Sequence, residues 1–281
     1  MKKLIYLVVA LVLAVGLVLP MATPVNAISW GAPDTTHTNV GAMVIDLPPE
    51  YGGLTPVCSG ILIGPQVFLT AGHCIAILET YLDSGMIGLE DVYVNFDQDA
   101  LNELTLLPVQ AFTKPPNFGV GGRSDFHDLG ALILDNLDNP VSITYANLPA
   151  EGFLDGLREE GKLRQVGGNE AKFTVVGYGA TLYWPPPIMI PYGCRQVAYS
   201  EYQKLLKAQL LLSQNHAKGD NIGGTCYGDS GGPVFWKEGG IETLVAITSW
   251  GDQPCVAAGF NYRVDTADAR AWIKGVLDAW D

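Results

Sequence analysis

Ser230 lies in a glycine-rich segment whose composition suits nucleophilic chemistry. The segment is Gly228-Asp229-Ser230-Gly231-Gly232. Glycines on both sides let the backbone turn sharply and leave the hydroxyl open to another molecule. They also let backbone N–H groups point at one spot, as the stabilisation of an oxyanion requires. Because a serine hydroxyl is a poor nucleophile without a base to take its proton, a histidine must be found elsewhere in the chain.

The order of serine and histidine separates two classes of hydrolase. Gly228-x-Ser230-x-Gly232 also fits the nucleophile elbow of α/β-hydrolases, in which the histidine follows the serine. All four histidines precede Ser230 here, which excludes that class; they are His37, His73, His127 and His216. His73 ends the segment Leu69-Thr70-Ala71-Gly72-His73, in which a β-like run leads into a turn of small residues. Cys58 could cross-link this turn and so fix the position of the imidazole ring. We therefore predict that His73 is the base.

An acid is needed to hold the tautomer of the histidine and to stabilise the imidazolium. Asp128 directly precedes an almost wholly apolar run, Leu129–Leu134. An ionised acid at the mouth of a buried strand is costly unless it has a partner. Asp125 is the alternative, in a more polar context, and we favour Asp128.

The first 27 residues resemble a secretory signal peptide rather than part of the fold. Lys2 and Lys3 precede the apolar run Leu4–Leu19, and the small-residue stretch Val25-Asn26-Ala27 follows. The alternative is a retained membrane anchor, but the apolar run is short for a span, which needs about 20 residues. We therefore expect a secreted protein with residues 28–281 as its mature domain.

Short β-like runs separated by glycine and proline occur throughout the remaining chain and favour an all-β sandwich or barrel. Trp272, Val276 and Trp280 recur every four residues, which predicts a C-terminal helix from about Thr266 to Ala279. Residues 150–168 are polar and contain glycine. We interpret them as the connection between two halves, about 28–150 and about 165–281.

At this point the residues resemble the trypsin/chymotrypsin family of serine peptidases. The resemblance rests on four segments. They are the histidine motif Leu69–Cys74, the segment His127–Leu132 with histidine in place of the usual asparagine, the serine motif Gly228–Pro233, and Ser249-Trp250-Gly251. Their order along the chain is that of the family, and we expect a secreted, bacterial-looking member. The resemblance implies two six-stranded antiparallel β-barrels with the active site in the cleft between them.

The resemblance also implies roles for individual residues. His73, Asp128 and Ser230 would form a catalytic triad, and the N–H groups of Gly228 and Ser230 would bind the oxyanion. Disulfides would join Cys58 to Cys74 and Cys226 to Cys255, which leaves Cys194 over. A new N-terminus at Ile28, exposed by signal cleavage, would pair with Asp229 and shape the oxyanion hole.

The same resemblance places the primary specificity pocket. Gly224 would form its floor beside Thr225, Gly251 and Gly259 would leave its walls open, and Ser249, Trp250 and Gly251 would pair with the substrate backbone. A neutral, open pocket favours apolar or aromatic side chains at P1, the substrate residue before the cleaved bond. Asp220 could supply a charged floor only if the alignment contained a gap. The segment Asn261-Tyr262-Arg263-Val264 departs from the family, which often has Val-Tyr before the final strand at the back of the pocket.

Composition limits the partners. The formal net charge of −13 argues against nucleic acid as a partner. We find no motif for a metal or cofactor and expect none. Peptides and proteins are the expected substrates, with protein inhibitors as further partners and no stable membrane association after signal cleavage. The alternatives are a catalytically silent relative that acts as a binding protein, and the same protease retained on a membrane.

Overall fold

The computed structural model describes residues 28–102, 105–135, 143–165, 171–183, 188–190, 193–219 and 221–280. The predicted signal peptide and Asp220 lie outside these ranges. In the part of the chain that is described, no helix is both long and apolar enough to cross a membrane.

Six antiparallel strands close the first barrel, after a two-residue strand β1 (Ala32–Pro33). They pair in the order β2-β3-β4-β7-β6-β5, and β5 returns to β2. Apolar side chains of these strands fill the interior, where Val67, Phe68 and Leu69 are fully buried. The strands are β2 (Val40–Asp46), β3 (Leu54–Leu62), β4 (Val67–Thr70), β5 (Val92–Asn95), β6 (Leu106–Thr113) and β7 (Gly130–Leu134).

Six further strands close the second barrel in the order β8-β11-β12-β15-β14-β13, with β13 returning to β8. Strand β1 adds to one edge of β11, and β9 (Thr181–Tyr183) forms a separate two-stranded sheet with β10 (Ile188–Ile190). The barrel strands are β8 (Lys172–Gly177), β11 (Gln196–Leu205), β12 (Gln209–Ser213), β13 (Pro233–Glu238), β14 (Ile241–Gly251) and β15 (Ala258–Arg263).

In the described ranges, three α-helices accompany the barrels: α1 (Gly72–Asp83), α2 (Phe153–Glu159) and α3 (Ala267–Trp280). The predicted C-terminal helix is confirmed as α3, whose Ile273 and Val276 are buried in the core. The polar connection between the halves contains α2, which sequence reasoning missed. The Asp265 carboxylate accepts a hydrogen bond from the Leu154 N–H at the start of this helix, at 2.8 Å. The expected two-barrel fold with a C-terminal helix is also confirmed.

Candidate active site

Strand pairing in the first barrel brings His73 and Asp128 together. His73 is the second residue of α1, just after β4, and Asp128 lies two residues before β7. Because β4 pairs with β7, the end of one strand lies beside the start of the other. Asp128 Oδ2 lies 2.9 Å from His73 Nδ1, and Asp128 Oδ1 accepts the backbone N–H of His73 at 2.8 Å. The carboxylate therefore fixes both the position and the ring orientation of the histidine.

The environment of Asp128 keeps this acid ionised. The residue is 4% exposed, and the Ser249 hydroxyl donates a hydrogen bond to its Oδ2. Burial alone would raise the pKa of Asp128, but hydrogen bonds from His73 and Ser249 and the charge of His73 hold that pKa below its usual range. An ionised carboxylate at Nδ1 leaves the opposite ring nitrogen of His73 as the proton acceptor.

Asp125, the alternative acid, has other partners. Its Oδ1 accepts a hydrogen bond from the Tyr262 hydroxyl at 3.0 Å and lies 3.5 Å from Nδ1 of His127. The structure thus brings Asp128, rather than Asp125, against His73. His37 lies between Asp34 and Glu242, and His216 stacks on Trp30, so neither reaches this site.

The loop that carries Ser230 docks onto the first barrel. The Ser230 carbonyl accepts a hydrogen bond from the Ser59 N–H on β3, at 2.8 Å. Gly231 has a φ of 81°, and a Cβ there would lie 2.1 Å from Thr70 Oγ1. Both its backbone conformation and its surroundings therefore exclude a side chain. This close approach places Ser230 beside the strand that leads to His73.

Two peptide groups orient the backbone on the other side of Ser230. The Tyr227 carbonyl accepts a hydrogen bond from the Ala180 N–H at 2.7 Å, and the Gly228 carbonyl accepts one from Ser59 Oγ at 2.9 Å. Since C=O and N–H point in opposite directions across a trans peptide, the first bond turns the Gly228 N–H away from Ala180. Within the described ranges, we find no hydrogen-bond partner for the N–H groups of Gly228 and Ser230. Both remain available to a ligand.

A cleft of about 470 Å³ holds these groups. His73 and Asp128 line it from the first barrel and Ser230 from the second, beside aromatic side chains from both. Tyr227 and Trp250 are 45% and 38% exposed, so the rim is apolar yet open to solvent. The lining is His73, Phe118, Phe126, Asp128, Thr225, Cys226, Tyr227, Ser230, Thr248, Ser249, Trp250, Gly251, Asp252 and Cys255.

The predicted pocket residues divide into two groups. Thr225, Ser249, Trp250 and Gly251 line the cleft. Gly224 and Gly259 instead face the side chain of Gln214, which fills the space that their missing side chains leave. Gln214, a long side chain from the end of β12, therefore lies against Gly224, and an open pocket with Gly224 as its floor stays a prediction.

Ile28 and Asp229 are both buried near the nucleophile loop. Ile28 is fully buried, and the carbonyl of the next residue, Ser29, accepts the Gly224 N–H at 3.2 Å. The two Asp229 carboxylate oxygens accept backbone N–H groups of Gly179 at 2.7 Å and of Cys226 at 2.8 Å. Burial nonetheless raises the pKa of Asp229 to about 7. An additional cation at this carboxylate would remove that penalty.

Two disulfides brace the site. Cys58–Cys74 ties β3 to the turn that carries His73, and Cys226–Cys255 ties the nucleophile loop to the segment before β15. Cys194 takes part in neither. In the described part of the chain, the one group of metal-type ligand atoms is Cys58, His73 and Cys74, whose two sulfurs are already bonded to each other.

Sequence reasoning missed several residues of the site. No local sequence pattern identifies Gln214 as part of the site. The sequence also does not indicate that the Ser249 hydroxyl contacts Asp128 rather than a substrate. The aromatic side chains of Phe118 and Phe126 reach the cleft from the loop between β6 and β7. That loop contains three glycines and two prolines and carries no pattern that would predict a cleft wall.

Comparison with known proteins agrees with this geometry. Residues 165–273, mainly the second barrel, match the trypsin family model. The chain is 27% identical over 212 residues to Lectizyme of Glossina austeni, covering 71% of this chain and 69% of that protein. It is 26% identical over 235 residues to glandular kallikrein-10 of Rattus norvegicus, covering 79% and 81%. These relatives come from an insect and a rat and do not support the expected bacterial origin. The fold and the match over residues 165–273 make the chain similar to the trypsin family.

Proposed function

We propose that the protein is a secreted serine endopeptidase with His73, Asp128 and Ser230 as its catalytic triad. The observation that carries the proposal is the hydrogen-bonded pair of His73 and Asp128 in the same cleft as Ser230. The unengaged N–H groups of Gly228 and Ser230 add the donors that acyl transfer needs. The two disulfides fit an extracellular protein.

In the proposed reaction, Ser230 Oγ attacks the carbonyl carbon of the scissile peptide bond while His73 takes the hydroxyl proton. The N–H groups of Gly228 and Ser230 bind the oxyanion of the tetrahedral intermediate. His73 then gives its proton to the leaving amine, and an acyl-enzyme remains on Ser230. Water, deprotonated by His73, attacks this ester and releases the acid. Asp128 stays ionised and stabilises the imidazolium in both halves of the reaction.

Substrate binding and activation complete the proposal. The backbone of Ser249 to Gly251 pairs with the substrate as an added strand. The cleft takes an uncharged P1 side chain, apolar or aromatic. Residues 1–27 act as the signal peptide, and residues 28–281 form one peptidase domain of two barrels. The ammonium of Ile28, released by signal cleavage, pairs with Asp229.

The test is acylation by a fluorophosphonate probe together with peptide hydrolysis. We expect the mature protein to be labelled and to cleave peptides, and Ser230→Ala to do neither. Ser84→Ala, at the exposed end of α1, is the matched control and should retain both. If folded wild-type protein is not labelled, the alternative of a silent binding protein replaces this proposal. Labelling that persists in Ser230→Ala would instead mean that another nucleophile reacts.

A further inference from the structure

Gln214 lies directly after β12, beneath the cleft. The side chain belongs to a residue that is only 2% exposed. Its Nε2 donates hydrogen bonds to the Thr225 carbonyl at 2.6 Å and to Thr225 Oγ1 at 3.1 Å. Thr225 itself lines the cleft. The amide of Gln214 is therefore anchored to the innermost side of the pocket wall, directly behind a residue that a substrate can touch.

Three glycines make room for this side chain. A Cβ at Gly224 would lie 2.3 Å from Gln214 Cγ, and one at Gly259 would lie 3.0 Å from its Nε2. A Cβ at Gly251 would come within 3.5 Å of its Oε1. Gln214 thus spans the space between the loop before Ser230 and strands β14 and β15. The side chain of Gln214 occupies the space that side chains at these three glycines would take.

The inner end of the cleft is uncharged. Its hydroxyl-bearing residues are Thr225 and Thr248, with the Gln214 amide behind the first. The cleft has two acids, and both are engaged. Asp128 is bonded to His73 and Ser249. Asp252 accepts the N–H groups of residues 256, 257 and 258. Beside Thr225 and the Gln214 amide, a lysine or arginine side chain would meet only uncharged groups, and desolvating it there without a partner is costly.

We propose that Gln214 is the floor of the primary specificity pocket and determines the P1 preference of the enzyme. The inference rests on the proposed function and narrows it. The pocket takes aliphatic side chains up to the length of leucine. An aromatic ring must displace Gln214 and break its two hydrogen bonds to Thr225. A lysine or arginine side chain is disfavoured because the floor supplies no carboxylate to pair with its charge.

Peptides that differ only at P1, with alanine, leucine, phenylalanine or lysine, test this inference on the mature protein. Wild type should favour leucine over phenylalanine and lysine by about tenfold in kcat/KM. Gln214→Ala removes the floor and should raise the ratio of phenylalanine to leucine cleavage by about tenfold. Gln214→Glu keeps the shape but supplies a carboxylate, and it should raise the ratio of lysine to leucine cleavage by about 100-fold.

Gln253→Glu is the matched control, because it adds the same charge at an exposed position outside the cleft lining. It should leave the P1 ranking unchanged. Each rate is divided by the fraction of protein that the serine probe labels, which separates specificity from folding. If Gln214→Glu fails to fold, the Gln214→Ala profile decides. An unchanged P1 ranking in labelled Gln214 variants, or a wild-type preference for lysine, overturns the inference while leaving the proposed peptidase intact. Failure to label wild type would remove the proposed function itself.

Discussion

Retaining residues before Ile28 should make stability depend on pH through Asp229. Burial raises the pKa of this carboxyl to about 7 in the intact chain, against an ordinary value of about 3.9. Between these values the folded state binds more protons than the unfolded state. The free energy of unfolding therefore falls as pH rises through this window. The difference of about three units corresponds to about 4 kcal/mol, which is fully present below pH 4 and lost above pH 7.

A chain that begins at Ile28 should lose this dependence. Its ammonium beside Asp229 would favour the ionised carboxylate, lower the pKa of Asp229 and remove the penalty at neutral pH. Urea unfolding at pH 5 and pH 8 measures the effect in two forms, one beginning at Ile28 and one that keeps Asn26 and Ala27. The extended form should lose about 2 to 3 kcal/mol more between the two pH values.

Asp229→Asn in both forms is the control, because the amide keeps the shape but does not titrate. It should abolish the extra pH dependence of the extended form. Equal pH dependence in the two wild-type forms would refute the pairing of Ile28 with Asp229. A dependence that survives in Asp229→Asn would assign the effect to another group.

Three further changes test the site. Asp128→Asn should lower kcat by about 10⁴-fold because the His73 tautomer is lost, whereas peptide turnover within tenfold of wild type would contradict the assigned role. Ser249→Ala removes a hydrogen bond to Asp128 and should lower kcat by about tenfold with little change in KM, and a change confined to KM would instead assign Ser249 to substrate binding. Gly231→Ala places a methyl against Thr70 and should cost about 2 kcal/mol or more in chemical unfolding, along with most probe labelling; an unchanged unfolding midpoint would show that the loop can relax.

Local patterns sufficed for the outline of the fold. Runs such as Val67–Thr70 and Leu129–Leu134 are apolar and bounded by turn residues, and they coincide with strands β4 and β7 or include them. Strand β6 (Leu106–Thr113) was missed because its sequence mixes polar residues and a proline with apolar ones. Helix α2 was missed because it is short and buries only Leu154 and Leu157 in a largely polar segment. Tertiary packing, rather than local preference, decides such segments.

The candidate site divides in the same way. Ser230 and His73 lie within contiguous motifs, so their neighbours in sequence reveal their chemistry. The hydrogen bond from Ser249 to Asp128 joins residues 121 positions apart, and no local sequence pattern predicts it. Gln214 approaches Gly224 only because β12 ends beneath the nucleophile loop. A glycine in the sequence indicates that space is left where a side chain would be. Only the fold shows which residue occupies that space.

The docking of the Ser230 loop against Ser59 and Thr70 has a consequence for synthesis and export. The barrel that carries His73 and Asp128 leaves the ribosome first, and the nucleophile follows only with the second barrel. A half-finished chain therefore holds the proposed base and its acid without the proposed nucleophile. The cleft is complete only when the Ser230 carbonyl accepts the Ser59 N–H across the two barrels. Under the proposed function, a complete triad therefore exists only after both barrels have been made and have joined.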